Sequence, residues 1–475
     1  MLPLRSFTYR CTGFLILGSL SLLLLHTLRK DSALSPLLTA LPQDPYIQVY
    51  FNHNEANLYS DPYRDITRYG DNLEETLIEY IYQAEKRLDI AIHELNLPLI
   101  AQAICDRNSA NVEVRLILEN SYNRPWAEYS AQNISGLDTR KRSKYDEFLA
   151  LADLNKDGKV SQKERQQRDA LYLLKQCQVP ILDDTADGSK GSGLMHHKFM
   201  VIDGQTLIMG SANWTLSGIH GDLTNEESRG NANALLAIKS APLADLYTQE
   251  FELMWGDGPL GQQDSLFGLQ KPYRHAQRIT SIPGSAISVQ FSPTSATQSW
   301  DQSVNGLIAK TLKQASTQVD MSLFVFSDQA ISNTLEVIAQ RGVQIRTLLD
   351  PGFAYRSYSE GLDLLGTAIP DHRCKFEAKN RPWQTPILSV GIPRLLSGDK
   401  LHHKFALIDN QTVIIGSQNW SKAANRSNDE NLLIIQNPTV AAHFEREFER
   451  LMKNADLGIT SKLSKQQQDR RQQCS

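Results

Sequence analysis

Residues 195–215, MHHKFMVIDGQTLIMGSANWT, return as residues 401–421, LHHKFALIDNQTVIIGSQNWS. A repeat this long requires both copies to adopt the same local structure, and the similarity reaches well upstream of it. IQVYF at 47–51 is echoed by ISVQF at 287–291. Each is followed by a segment of helical period and an apolar strand: NLEETLIEYIYQAEKRLDIAIHEL in the first half, VNGLIAKTLKQASTQVDMSLFVF in the second. Next come a helix (LIAQAICDRN, TLEVIAQRG) and a strand (VEVRLILEN from Val112, VQIRTLLDP from Val343). The chain is a duplication, predicted to form two α/β halves over 46–256 and 286–455, each a largely buried sheet flanked by helices. Its 475 residues exceed what one hydrophobic core usually supports, which agrees with two units. Residues 257–285, rich in Gly, Gln, Pro and Ser, read as the connector.

Each copy carries His-x-Lys-x4-Asp-x6-Gly-Ser-x-Asn: His196, Lys198, Asp203, Gly210, Ser211, Asn213, and His402, Lys404, Asp409, Gly416, Ser417, Asn419. Alternate side chains of a strand share a face, so His196 and Lys198 point one way while His197 and Phe199 point the other. Asp203-Gly204 and Asp409-Asn410 are turn pairs, which makes each motif a hairpin returning to a Gly-Ser pair beside the His and Lys. Imidazole, ammonium, hydroxyl and amide then converge. That set suits a phosphate, with Lys as cation, Ser and Asn as neutral donors, and His as nucleophile or proton carrier. A lone His-x-Lys is usually a surface accident, but six defined positions occurring twice are a much stronger signal.

At these positions the chain resembles the phospholipase D superfamily, whose duplicated HKD motif and downstream GS-x-N recur here across residues 46–455. The resemblance implies two tandem α/β halves, each a mixed sheet flanked by helices, packed about a pseudo-two-fold axis so that both motifs form one active site in a monomeric catalytic unit. It implies a phosphodiesterase: one histidine attacks phosphorus to give a phosphohistidine, the other protonates the leaving alcohol and later activates water, and no catalytic metal is needed. Carried over, the motif residues are His196, Lys198, Asp203, His402, Lys404 and Asp409, with Ser211, Asn213, Ser417 and Asn419 on the substrate phosphate. Asp203 and Asp409 sit at turns and are expected to support the site rather than touch substrate.

The family also places an acidic residue some thirty positions after each histidine, where it orients the imidazole. In the second half this is Glu430, and in the first half Asn233 aligns with it. A carboxylate favours the imidazolium, whereas an amide orients the ring without adding charge. Pairing each group with the histidine of its own half makes His402 the acid and His196 the neutral nucleophile. Glu226 or Glu227 could instead supply a carboxylate to the first half.

The stretch from Val112 to His196 is 25 residues longer than that from Val343 to His402. The excess falls within 130–180, as an insertion over 136–175, and contains DLNKDGKVSQKE at 153–164, which satisfies the EF-hand loop pattern at every position. Asp153, Asn155, Asp157, the Lys159 carbonyl, Ser161 and Glu164 are the expected Ca2+ ligands, with helical segments on both sides. A structural or regulatory role is expected. The alternative is an acidic helix-loop-helix that binds no metal.

Residues 11–28, CTGFLILGSLSLLLLHTL, are mostly apolar and long enough to span a bilayer. With the basic segment at 1–10 and a linker at 29–45, they read as an N-terminal membrane helix that leaves an extracytoplasmic catalytic part, or as a signal peptide whose removal secretes it. The five cysteines, Cys11, Cys105, Cys177, Cys374 and Cys474, lack zinc spacing and read as core or incidental thiols. The tail at 456–475 is polar and reads as disordered. Apolar residues at 41% and charged residues at 21% exclude wholesale disorder and a polytopic membrane protein. The net charge of -4 argues against a protein that lives on nucleic acid, although Arg140, Lys141, Arg142 and Lys144 could meet a phosphate backbone. The leading expectation is a membrane-anchored phospholipase D-like enzyme acting on a phospholipid. An HKD nuclease acting on DNA or RNA, a cardiolipin synthase-like phosphatidyltransferase and a calcium-dependent binding protein are the alternatives.

Overall fold

The computed structural model describes residues 35–189 and 193–474. The expected membrane helix at 11–28 lies outside them, and no described helix is long and apolar enough to cross a membrane. The first half runs β1 (Ile47–Phe51), α1 (Leu73–Tyr82), β2 (Arg87–Ile92), α2 (Pro98–Ser109), β3 (Glu113–Leu118), α3 (Thr139–Ala152), α4 (Gln162–Arg168), α5 (Ala170–Gln176), β4 (Ile181–Asp183), β5 (Lys198–Ile202), β6 (Thr206–Gly210), β7 (Ala234–Lys239) and α6 (Ala241–Trp255). The second runs β8 (Gln277–Ile279), β9 (Ala286–Ser292), α7 (Val304–Leu312), β10 (Gln318–Leu323), α8 (Gln329–Gln340), β11 (Gln344–Leu349), β12 (Val390–Ile392), β13 (Lys404–Ile408), β14 (Thr412–Gly416), β15 (Glu430–Gln436), α9 (Pro438–Met452), β16 (Asp456–Leu457) and α10 (Ser461–Cys474).

The first sheet has the order β1-β7-β6-β5-β2-β3-β4. The second repeats it as β9-β15-β14-β13-β10-β11-β12, with β8 and β16 added at its edges. In each, the strand after the first helix pairs parallel with the next strand and antiparallel with the motif strand. The sheets are therefore mixed, and both faces are covered. Along β5, Phe199 and Val201 enter a core shared by the two halves, whereas Met200 and Ile202 enter an outer core beneath α1 and α2. That is why the motif strand is apolar throughout rather than alternating. The shared core places Tyr247 and Phe251 of α6 with Phe444 and Phe448 of α9, and it takes residues from both sheets.

The duplication extends to buried charge. Arg115 bonds Asp89 at 2.7 Å and Glu252 at 2.8 Å, and in the second half Arg346 bonds Asp320 at 2.6 Å and Glu449 at 2.8 Å. Each arginine fastens the long helix of its half to the sheet. A buried carboxylate so paired is far costlier to unpair than an exposed one.

Several expectations at the margins are corrected. Among the described residues the cysteines are not free thiols: Cys105 pairs with Cys177 and Cys374 with Cys474, across 72 and 100 residues of sequence, while Cys11 lies outside these residues. The tail is helical as α10. Leu463 is fully buried, Gln466 donates to the Tyr355 carbonyl at 3.0 Å, and the Cys374–Cys474 bond secures its end. The linker is docked from residue 35 onward, with Arg446 and His443 of α9 bonding the carbonyls of Thr39 and Pro42. The connector also takes part in the fold, adding β8 to the second sheet and burying Lys271.

Candidate active site

β5 and β6, like β13 and β14, form the hairpins expected of the repeats. Asp203, Gly204, Asp409 and Asn410 all take positive φ, the geometry of a tight hairpin turn. The Asp203 carboxylate accepts the backbone N–H groups of Glu85, Lys86 and Arg87, and Asp409 accepts those of Ser316, Thr317 and Gln318. Partial burial works against ionisation, but these donors outweigh it and hold both carboxylates below the usual range. The two aspartates thus lock each turn to the loop before β2 or β10. The structure does not bring them to the histidines.

The opposite ends of the hairpins meet across the two halves. The His196 N–H donates to the Asp429 carbonyl at 3.0 Å and the Asp429 N–H to that of Leu194 at 2.9 Å. Symmetrically, the Ala232 N–H donates to the Lys400 carbonyl at 2.8 Å and the His402 N–H to that of Ala232 at 3.1 Å. The segment entering β15 therefore lies beside His196, and the segment entering β7 beside His402. The orienting groups cross over accordingly: His196 Nδ1 bonds Glu430 Oε2 at 2.7 Å, and His402 Nδ1 bonds Asn233 Oδ1 at 3.0 Å. This reverses the pairing within halves expected from sequence. Glu226 and Glu227 are exposed and take no part.

Ser211 and Ser417 are also placed differently from expectation. The Ser211 hydroxyl donates to Asn233 at 2.8 Å, and Ser417 bonds Glu430 through its side chain. They hold the groups that hold the histidines, rather than facing a phosphate. Asn213 and Asn419 end in buried Oδ1 atoms without hydrogen-bond partners, at matching positions. Each Oδ1 is an acceptor that calls for a donor such as water, and the Nδ2 of the same amide is the atom able to donate to an anion.

On the other strand face, as alternation requires, His197 Nε2 bonds Glu250 at 2.9 Å and His403 Nε2 bonds Glu447 at 2.8 Å. Lys271 and Arg274 of the connector ion-pair with the same Glu250. The sequence reading missed both glutamates. Their signal is the repeated Glu-Phe-Glu at 250–252 and 447–449. His93 was missed as well: its ring packs edge-on against His196 with centroids 4.8 Å apart, where the second half sets Phe324 against His402 at the same 4.8 Å.

The lysines are buried with few countercharges. Lys198 Nζ donates to the His196 carbonyl at 2.8 Å and Lys404 Nζ to that of His402 at 2.7 Å. Burial pulls Lys198 down to about 7 against the attraction of Glu430 and Glu94. Burial and then Lys198 pull Lys404 well below its ordinary value. Burial, followed by the two lysines, drives His196 and His402 well below theirs, while burial pushes Glu430 up to about 7. Two desolvated cations beside the paired histidines form a site that an anion would neutralise.

The inserted segment stands beside this site. Within it, α3 enters and α4 leaves the loop at 153–164. Gly158 has φ +80°, and the Asp153 carboxylate accepts the N–H groups of Asp157 and Gly158. Asn155 accepts the Asp157 N–H, Asp157 accepts the Lys159 N–H, and Glu164 forms a capping box with Ser161. Among the described residues no group of three or more His, Cys, Asp or Glu converges as a metal cluster. Of the basic run, Lys144 pairs with Glu94 at 2.9 Å, Arg140 donates to the Tyr122 hydroxyl at 2.9 Å and Arg142 to the Ile134 carbonyl. It is not a free cationic stripe.

Residues 77–255 and 308–452, one segment in each half, match the family described as "Cardiolipin synthase, PLD-like domain". The chain belongs to that family. This phospholipase D-like protein is 30% identical over 148 residues to the mitochondrial cardiolipin hydrolase of Danio rerio, covering 30% of this chain and 55% of the relative. It is 26% identical over 182 residues to a phospholipase D of Rickettsia felis, covering 38% and 76% respectively. The chain thus spans a little over half the length of the zebrafish protein. The phosphatidylserine synthase of Haemophilus influenzae shares the fold over 91% of this chain and 92% of that one, with a TM-score of 0.53 and 14% identity.

The lysine charges carry a stability signature. Because Lys198 has a folded pKa of about 7, below the ordinary lysine value, the unfolded chain binds more protons between about pH 7 and 10, and stability contributed by this group rises with pH across that window. Lys198→Met should raise Tm by about 2 °C at pH 6.5, by less at pH 9, and cut turnover more than about 100-fold. Calorimetry at the two pH values together with an assay checks this, and a lowered Tm at pH 6.5 would refute the account of an uncompensated cation.

Proposed function

We propose that this chain is a phosphodiesterase that hydrolyses a phospholipid through a phosphohistidine on His196, with His402 as general acid. The observation that carries the reading is the crossed orientation of the two histidines. A nucleophilic imidazole gains positive charge as it bonds phosphorus, so the Glu430 carboxylate on His196 Nδ1 favours that step. A general acid must give its proton away, and the Asn233 amide orients His402 without holding the proton by charge. The order of roles is the one expected from sequence, but its reason is inverted. Lys198, Lys404, Asn213 and Asn419 are the groups assigned to the nonbridging oxygens. Charge on the bound phosphodiester offsets that of the lysines and lets His402 take up its proton.

The names of the relatives favour a lipid: cardiolipin hydrolase and phospholipase D. The intramolecular engagement of the basic run weakens the case for nucleic acid, as does the net charge. The full-length chain in mixed micelles, assayed on phosphatidylcholine, phosphatidylglycerol, single-stranded DNA and bis-p-nitrophenyl phosphate, should cleave the lipids. Cleavage of DNA and of neither lipid would replace this reading with a nuclease. His402→Asn, given the activated p-nitrophenyl ester and quenched in alkaline detergent, where a phosphoramidate survives, should retain phosphoenzyme, whereas His196→Asn should retain none and lose about 1,000-fold or more in turnover. Label retained by the His196 variant would reverse the roles.

Two further readings accompany this one. The oxygen donors of Asp153, Asn155, Asp157, Ser161 and Glu164, with the Lys159 carbonyl, are of the type calcium takes, and α3 connects their loop to the active-site wall. Calcium at about 1 mM should raise Tm of the full chain but not of Glu164→Gln, and an equal response in both would remove the assignment. The two disulfides and the apolar run at 11–28 support a membrane-anchored, extracytoplasmic catalytic part. Protease digestion of intact cells or sealed organelles that left the catalytic part protected on the cytoplasmic side would overturn that placement.

A further inference from the structure

His93 breaks the two-fold symmetry at the most sensitive point of the molecule. It follows β2 as Phe324 follows β10, and each ring meets a motif histidine edge-on at 4.8 Å. A phenylalanine suffices for packing there, so the nitrogen atoms of His93 call for another explanation. Its Nδ1 lies 3.0 Å from the Met195 carbonyl, which can only accept, so Nδ1 carries the proton. Burial, and then the charges of His196 and Lys198, keep the ring neutral. Nε2 is therefore a lone-pair acceptor.

The ring also forms one wall of a cavity of about 270 Å³ in the first half, closed on one side by residues of the insertion. Tyr122, Trp126 and Tyr129 contribute aromatic surface, and acidic and basic side chains are equally represented in the lining. The cations nearest His93 are engaged: Lys144 with Glu94 at 2.9 Å, and Arg140 with the hydroxyl of Tyr122, whose ring packs on His93 at 5.1 Å. A balanced, partly aromatic lining is poorly matched to a polyanion and well matched to an uncharged or zwitterionic polar group.

We propose that this cavity is the head-group subsite of the enzyme, taking the polar head of a lipid phosphodiester, with His93 Nε2 accepting a hydrogen bond from its primary ammonium or hydroxyl group. The assignment rests on the phospholipid reading above and adds the class of head group to it. The insertion then acts as a specificity element, since its residues build one wall of the cavity and the second half has no such segment.

The test uses the full-length chain in mixed micelles, with phosphatidylethanolamine and with phosphatidylmethanol, whose head carries neither ammonium nor hydroxyl. His93→Phe is the informative variant because Phe324 shows that the equivalent slot holds that ring. The wild type should prefer phosphatidylethanolamine, His93→Phe should lose about tenfold of that preference through KM, and His93→Gln, which keeps an acceptor, should recover part of it. An unchanged preference in His93→Phe would overturn the subsite. So would equal losses in kcat on both lipids, which would place His93 in the chemistry at His196 instead. Failure of the lipid reading looks different: the wild type would cleave bis-p-nitrophenyl phosphate and neither lipid, and the subsite would fall with it.

Discussion

The backbone bridges between the halves, Met195 to Asp429 and Ala232 to Leu401, are the constraint on which the rest depends. Each sets the start of one motif hairpin against the chain entering the last long strand of the other half. Because side-chain direction follows backbone position, the group just past each bridge must face the histidine of the opposite half. Glu430 and Asn233 are those groups. Neither half alone holds an oriented histidine, so the duplication forms one composite site rather than two copies of a site. The shared core of α6, α9 and both sheets keeps the bridges in register, and Asp203 and Asp409 fix the far end of each hairpin.

This arrangement makes the site asymmetric where it is chemically useful and symmetric where it is structural. The groups Asp89–Arg115–Glu252 and Asp320–Arg346–Glu449 repeat residue for residue, as do the pairs His197–Glu250 and His403–Glu447. The differences fall on the groups against the reacting histidines: glutamate against asparagine, and His93 against Phe324. Burial of Lys198 and Lys404 opposes folding, the usual relation between a preorganised binding site and stability. An anion held between them would offset that cost.

Much of this was legible in the sequence, because it depends on local periodicity. The hairpins follow from apolar strands around Asp-Gly and Asp-Asn pairs, and the opposed directions of His196 and His197 follow from the two-residue period of a strand. The repeated sheet order follows from the repeated order of elements. What the sequence could not convey is which half a residue faces. Glu430 is 28 positions from His402 and 234 from His196, yet bonds the latter. For the same reason, the pairing of Cys105 with Cys177 and of Cys374 with Cys474 could not be deduced from spacing. The tail misled through composition, since a single buried leucine and a disulfide order an otherwise polar helix.

Solution NMR of histidine labelled with 15N in the imidazole tests the crossed pairing most directly. On Glu430→Gln, the ring nitrogens of His196 should shift and their titration move to lower pH, while those of His402 stay near their wild-type positions. A response confined to His402 would contradict the account, because it would return Glu430 to its own half and remove the composite site.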